Sequence, residues 1–147
     1  MAHDPLRRLV AALESSLAMY VSDSGIWSYP GPEEIKLALA DLVSDHKSLL
    51  DRAGTVLAER EVPTPRKAYP LSFTAWHDLD LAYLLPRVID GLKAQLPALE
   101  TVAGTAGDDT TAAELAREAV AVNRRHVDRL AQLVAKSRAG LVEAKSL

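Results

Sequence analysis

The chain has 147 residues, a formal net charge of −3 at pH 7 and no cysteine. Its length predicts a single domain over residues 1–147. Its 48% apolar and 25% charged residues are ordinary for globular proteins, which excludes a disordered or fibrous chain. The slightly acidic balance argues against a nucleic-acid partner. The missing cysteine excludes disulfides, thiolate metal sites and cysteine nucleophiles.

The amino-terminal segment predicts neither secretion nor membrane insertion. Glu14, Ser15 and Ser16 interrupt its apolar residues, and no small-residue cleavage site follows. No stretch of the chain approaches the roughly 18 uninterrupted apolar residues of a transmembrane helix. We therefore expect a cytoplasmic protein with no membrane partner.

Start signals place the first two predicted helices. Asp4 followed by Pro5 is typical of a helix start, and the first helix is predicted over residues 5–22. Gly31 and Pro32, followed by two glutamates, begin the second helix, which is predicted over residues 32–61. The first predicted helix is therefore much shorter than the second.

Two further helices follow a proline-rich connection. Thr74 is a candidate cap for a third helix over residues 74–103, which contains Pro86 and Pro97 and should bend or break near them. Thr111 and Glu114 form the T-x-x-E pattern of a capping box, which predicts a fourth helix over residues 111–143.

Apolar residues recur along one face of all four segments, which predicts an all-α fold, a single antiparallel four-helix bundle. The helix order stays open between two alternatives. The seven aromatic residues form two groups, one near residues 20–29 and one near residues 69–83. A simple up-down-up-down order places these groups at opposite ends, whereas a second connection that crosses the bundle lets them share one aromatic plug.

Histidines occupy core-facing positions where apolar residues are expected. His46 lies near the middle of the second predicted helix and His126 near the middle of the fourth, with Asn123 one turn before His126. Because imidazole is a common ligand of iron and zinc, a metal site of His46, His126 and Asn123 is one interpretation. The other is a set of buried side chains that satisfy one another by hydrogen bonds, and on that interpretation no cofactor is expected.

This helix pattern, with a histidine midway along the second and fourth helices, resembles the ferritin-like superfamily. The resemblance implies a crossing connection and, in iron-binding members, a Glu-x-x-His pair on those two helices. Here Val43 and Asn123 stand three residues before the histidines, so the di-iron motifs are not intact.

The segment "TAWHDLDLAYLL" resembles the tryptophan-and-histidine helix of DinB-like bundles, which bind a metal through three histidines. That resemblance implies convergence of His46, His77 and His126. The fourth helix lacks the H-x-x-x-H pattern of those proteins, because "NRRHVDRL" contains one histidine.

No catalytic motif is present, so the sequence predicts a non-enzymatic helical protein that acts through self-association or a protein partner. The alternative is a metal-binding or redox bundle. A small-molecule pocket around Trp76, Tyr83 and the kinks at Pro86 and Pro97 is a further interpretation. The candidate pocket or interface residues are Trp27, Trp76, His77, Asp80 and Tyr83.

Overall fold

The computed structural model describes residues 4–146, with side chains over residues 4–139, and this part of the chain contains helices and no strand. The all-α class is therefore confirmed for these residues. Within residues 4–146, no helix combines the length and apolar character needed to cross a membrane. The described residues form five α-helices: α1 (Pro5–Glu14), α2 (Leu17–Ser24), α3 (Glu33–Glu59), α4 (Leu81–Thr105) and α5 (Thr110–Ser146). Short 3₁₀ segments span Ile26–Ser28 and Leu71–Trp76.

The first predicted helix, residues 5–22, is divided into α1 and α2 by two serines. Ser16 adopts an extended backbone conformation (φ −75°, ψ 160°), and its side chain accepts a hydrogen bond from the backbone N–H of Met19. Serine is a preferred helix cap because its hydroxyl satisfies one of the free N–H groups of the first turn. Ser16 therefore starts a new helix where the apolar spacing alone predicts continuity.

The helix predicted from residue 74 begins seven residues later, at Leu81. The Asp80 carboxylate caps it and accepts the backbone N–H of Ala82 at 2.8 Å. The Thr74 hydroxyl instead donates to the Leu71 carbonyl within the 3₁₀ segment. α4 then continues through both Pro86 and Pro97, so neither proline ends the helix.

Replacing Asp80 with alanine is expected to lower the free energy of unfolding by about 1 kcal/mol, because the first turn of α4 loses its cap. Asp80→Ser should restore most of the loss. Thr74→Ala is the matched control and should cost about half as much or less, because Thr74 caps no α-helix. Urea denaturation of the three variants measures these differences, and equal losses for Asp80→Ala and Thr74→Ala would contradict the assignment.

α5 begins at Thr110 and is capped by Asp109, not by the predicted Thr111 capping box. The Asp109 carboxylate accepts the N–H of Ala112 and forms two hydrogen bonds with the Arg60 guanidinium. Arg60 also pairs with Asp4. This arginine therefore joins the start of α1, the end of α3 and the start of α5 at one end of the molecule.

The connection between α3 and α4 crosses the length of the molecule. At the end opposite Arg60, the backbone N–H of Leu81 donates to the Pro30 carbonyl at 2.8 Å, so α3 and α4 begin side by side and run in the same direction. Lys67 and Tyr69 attach this connection to Asp23 in α2. α1 and α5 each pack against both α3 and α4. Of the two orders left open, the structure therefore has the crossing one.

The two aromatic groups meet at this end. Tyr20 in α2 packs against Tyr69 and Phe73, with ring centroids 5.3 and 5.6 Å apart. His77 lies between Tyr20 and Tyr29, with its Nδ1 3.4 Å from both hydroxyl oxygens. Trp27 stays outside the plug with 56% of its surface exposed.

The apolar core consists of two clusters stacked along the helix axes. One cluster joins α2 to the first halves of α3 and α4, and the other joins α1 to their second halves and the first half of α5. Between the clusters lie buried polar side chains, contributed by the α1–α2 segment and by α3, α4 and α5. These five residues, which we call the polar layer, are Ser16, His46, Gln95, Asn123 and His126.

Candidate functional site

The polar layer contains a directed chain of hydrogen bonds. The Asn123 amide nitrogen donates to Gln95 Oε1 at 2.8 Å and to the Leu92 carbonyl at 3.2 Å. Its Oδ1 is therefore the atom 2.7 Å from His46 Nε2, and the imidazole must donate there. His46 consequently carries its hydrogen on Nε2. The chain runs from His46 through Asn123 to Gln95.

A second pair lies beside this chain. His126 Nε2 lies 2.6 Å from the Asp45 carboxylate, which also accepts from Arg125. The hydrogen bond from His126, supported by Arg125, lowers the pKa of Asp45 below its ordinary value. The structure thus brings His46, Asn123 and His126 into one layer and adds Asp45 to them.

Burial decides the protonation of His46. Its side chain is fully buried, and the resulting desolvation lowers its pKa below the ordinary 6.5, against the opposing effect of the Asn123 hydrogen bond. Its Nδ1 is buried and has no hydrogen-bond partner in the described chain. His46 is therefore neutral at pH 7, and a second proton would find no acceptor.

The donor set does not fit an iron or zinc centre. The buried Nδ1 atoms of His46 and His126 have no partner within residues 4–139. The Asn123 amide, however, uses both its oxygen and its nitrogen in hydrogen bonds to His46 and Gln95. The Asp45 carboxylate is hydrogen-bonded to His126. Within residues 4–139, no group of three or more His, Cys, Asp or Glu side chains is placed to hold a metal ion. Protein zinc sites use three or four such ligands.

His77 does not converge with the other histidines, contrary to what the DinB-like resemblance implies. Its ring packs against Tyr20 and Tyr29, and its Nε2 lies 3.3 Å from Asp78. The three-histidine arrangement is therefore absent from the described residues. His77 instead contributes to the aromatic plug.

A pocket of about 360 Å³ opens where α1 gives way to α2, and we call it the Trp76 pocket. The break at Ser15 and Ser16 forms one wall, the 3₁₀ segment forms the second, and α4 forms the third. Its apolar lining comes from Ala12, Leu17, Phe73 and Trp76, and its polar lining from Ser15, Ser16, Arg87, Asp90 and Gln95.

Gly91 gives this pocket part of its width. A Cβ placed on Gly91 would meet no atom within 4 Å, so the α4 backbone faces open space there. Glycine inside a helix costs about 1 kcal/mol relative to alanine. At Gly91 the helix is therefore less stable than it would be with alanine, and the space beside it stays open to the pocket.

Arg87 is held at the rim of the pocket by aromatic rings. Its guanidinium lies 4.7 Å from the Trp76 ring centroid and 5.1 Å from that of Tyr83, and it donates to the Tyr83 hydroxyl. Among the side chains of residues 4–139, neither Arg87 nor Asp90 has an ion-pair partner within 4 Å. The rim therefore presents one oriented cation.

Of the other candidate residues, Trp27 borders a larger and more polar depression between α2 and α3, of about 750 Å³. That depression contains no buried polar side chain. Asp80 serves as the α4 cap, and Tyr83 is 54% exposed beside Arg87. Only Trp76 of the five lines the pocket next to the polar layer.

No family model, no curated protein and no solved structure matches this chain. The ferritin-like and DinB-like resemblances therefore stay predictions from the sequence pattern.

Proposed function

We propose that the protein is a non-enzymatic four-helix bundle, with α1 and α2 sharing one leg, that binds a small organic molecule in the Trp76 pocket. The observation that carries the proposal is the pocket's composition. Aromatic and aliphatic walls surround a buried amide, Gln95, which is only 9% exposed. Binding sites for small molecules are typically concave and mostly apolar, with a few polar groups that orient the ligand.

Burial of the histidines supports a non-enzymatic role. The pair of His126 and Asp45 has the chemical make-up of a general base, but His126 is 3% exposed and its free Nδ1 is buried. A general base must come within hydrogen-bond reach of a substrate proton. Neither His46 nor His126 lines the Trp76 pocket, so neither could meet a ligand held there.

Filling the pocket tests the proposal. Gly91→Leu should abolish binding of small aromatic fragments because the new side chain enters the pocket. Gly54→Leu is the matched control, since Gly54 is also a helical glycine whose added Cβ meets nothing within 4 Å, and it does not line the pocket. Ligand-observed NMR with a diverse fragment set compares the two variants with the natural chain.

Both leucine variants should be at least as stable as the natural chain, because both replace a helical glycine. The expected result is a set of fragments that bind the natural chain and Gly54→Leu but not Gly91→Leu. If no fragment distinguishes the two variants, the Trp76 pocket is not a binding site.

Self-association or a protein partner stays a prediction of the sequence. The feature that favours it is the length of α5, whose 37 residues extend about 55 Å against about 40 Å for the 27 residues of α3. Lys136 already pairs with Glu34 in the first turn of α3. The helix from residue 137 to 146 therefore continues past the start of α3.

A further inference from the structure

The polarity of the buried chain determines what the pocket offers to a ligand. Because Asn123 donates to Gln95 Oε1, the oxygen of the Gln95 amide is turned toward the core. Its amino group is the remaining end, and no hydrogen bond from it is found within residues 4–139. Gln95 is nine-tenths buried and lines the pocket, so its two N–H donors are available there.

The other polar groups of the pocket are a guanidinium, two hydroxyls and a carboxylate, from Arg87, Ser15, Ser16 and Asp90. The Ser16 oxygen already accepts the N–H of Met19, which leaves its hydroxyl hydrogen to donate. Arg87 has five N–H donors and uses one on Tyr83. Asp90 is the one charged acceptor, and it stands exposed at the rim on the same face of α4 as Arg87. An occupant that presents a negatively charged acceptor to Arg87 therefore fits this rim.

We propose that the ligand is a small monocarboxylate with an aromatic or branched apolar body, an inference that rests on the proposed function of the pocket. The carboxylate accepts hydrogen bonds from Arg87 at the rim, and the apolar body packs against Phe73, Trp76 and Leu17. Arg87 suits this role because its planar guanidinium matches a carboxylate and is already oriented by Trp76. Asp90 disfavours a second negative charge.

Three probes with the same carbon skeleton test this ligand class: 3-phenylpropionate, 3-phenylpropionamide and 3-phenylpropylamine. Isothermal titration calorimetry near neutral pH should give a dissociation constant for the acid about tenfold lower than for the amide or the amine, because hydrogen bonds to a charged group are the stronger ones. Arg87→Met should bring the acid-to-amide ratio toward one. Arg117→Met, an exposed arginine far along the molecule, removes the same charge and should leave the ratio unchanged.

The possible results separate the ligand class from the pocket itself. If acid and amide bind equally and both are lost in Gly91→Leu, the pocket stands and the carboxylate class is overturned. If none of the three probes binds while other fragments show binding that depends on Gly91, the class is again overturned. If no compound of any kind depends on Gly91, the proposed function fails with it.

Discussion

Replacing Asn123 with leucine is expected to lower the free energy of unfolding by about 3 kcal/mol, because each buried polar group left without a partner costs roughly 1–3 kcal/mol. The substitution removes the acceptor of His46 Nε2 and the donor of Gln95 Oε1, and both neighbours are buried. Leucine has the same branching and the same number of side-chain heavy atoms as asparagine, so the substitution leaves no cavity. Urea denaturation followed by circular dichroism measures it.

A double-mutant cycle separates this network from simple packing. The double variant His46→Leu/Asn123→Leu removes both partners, and such a replacement can be nearly neutral. Its loss in free energy of unfolding should therefore be smaller than the sum of the two single losses by about 1–2 kcal/mol. Gln132→Leu, an exposed amide on the same helix, is the control and should stay within about 0.5 kcal/mol of the natural chain. Additive losses would show that His46 and Asn123 do not depend on each other.

The all-α class follows from the sequence because helix-forming signals are local. Apolar residues at helical spacing predicted α3 and α5 within a few residues of their observed ends. The break in the first predicted helix was missed because the helical spacing of apolar residues continues across it. Two adjacent serines are nevertheless a signal for a helix cap. Likewise Asp80 caps α4 in the structure, whereas the sequence analysis named Thr74 as the cap.

The candidate site was predictable in part. His46, Asn123 and His126 were visible because polar residues interrupt an apolar stripe. Gln95 was missed, although it lies three residues after Leu92 and four before Leu99, on the same face. Asp45 could not be found in this way, because its role depends on how α3 aligns with α5. That alignment is fixed by contacts between residues about 80 positions apart, such as Asp45 with His126.

The walls of the Trp76 pocket could not be derived from the sequence. It needs the crossing connection to bring Phe73 and Trp76 beside the break between α1 and α2. The sequence left two helix orders open, and only one of them places these residues together. Trp76 was among the sequence candidates and lines this pocket, but the other lining residues Ser15, Ser16 and Gly91 carry no chemical signal of their own.

Acidification below about pH 6.5 is expected to destabilise the folded protein through His46. Burial lowers the pKa of His46 in the folded state, whereas the unfolded chain has the ordinary value near 6.5. The unfolded state therefore binds more protons in this range. The stability that the neutral imidazole contributes is fully present above about pH 6.5 and is lost as the pH falls toward the folded pKa, at up to about 1.4 kcal/mol per pH unit.

Asp45 changes the stability in the same direction but at lower pH. The pKa of Asp45 is lowered by its bonds to His126 and Arg125, so its contribution is present above the ordinary carboxyl value of 3.8 and is lost below it. Urea denaturation at several pH values between about 7 and 5 therefore isolates the histidine effect.

The double variant His46→Leu/Asn123→Leu provides the decisive comparison, because it removes the titrating group together with its partner. Its loss of stability between about pH 7 and 5 should be smaller than that of the natural chain by most of the histidine contribution. Gln132→Leu, the exposed amide on α5 that does not titrate, is the control and should keep the natural slope. An equal slope in the natural chain and the double variant would mean that His46 takes up its proton as readily in the fold as in the unfolded chain, and that the polar layer is open to water.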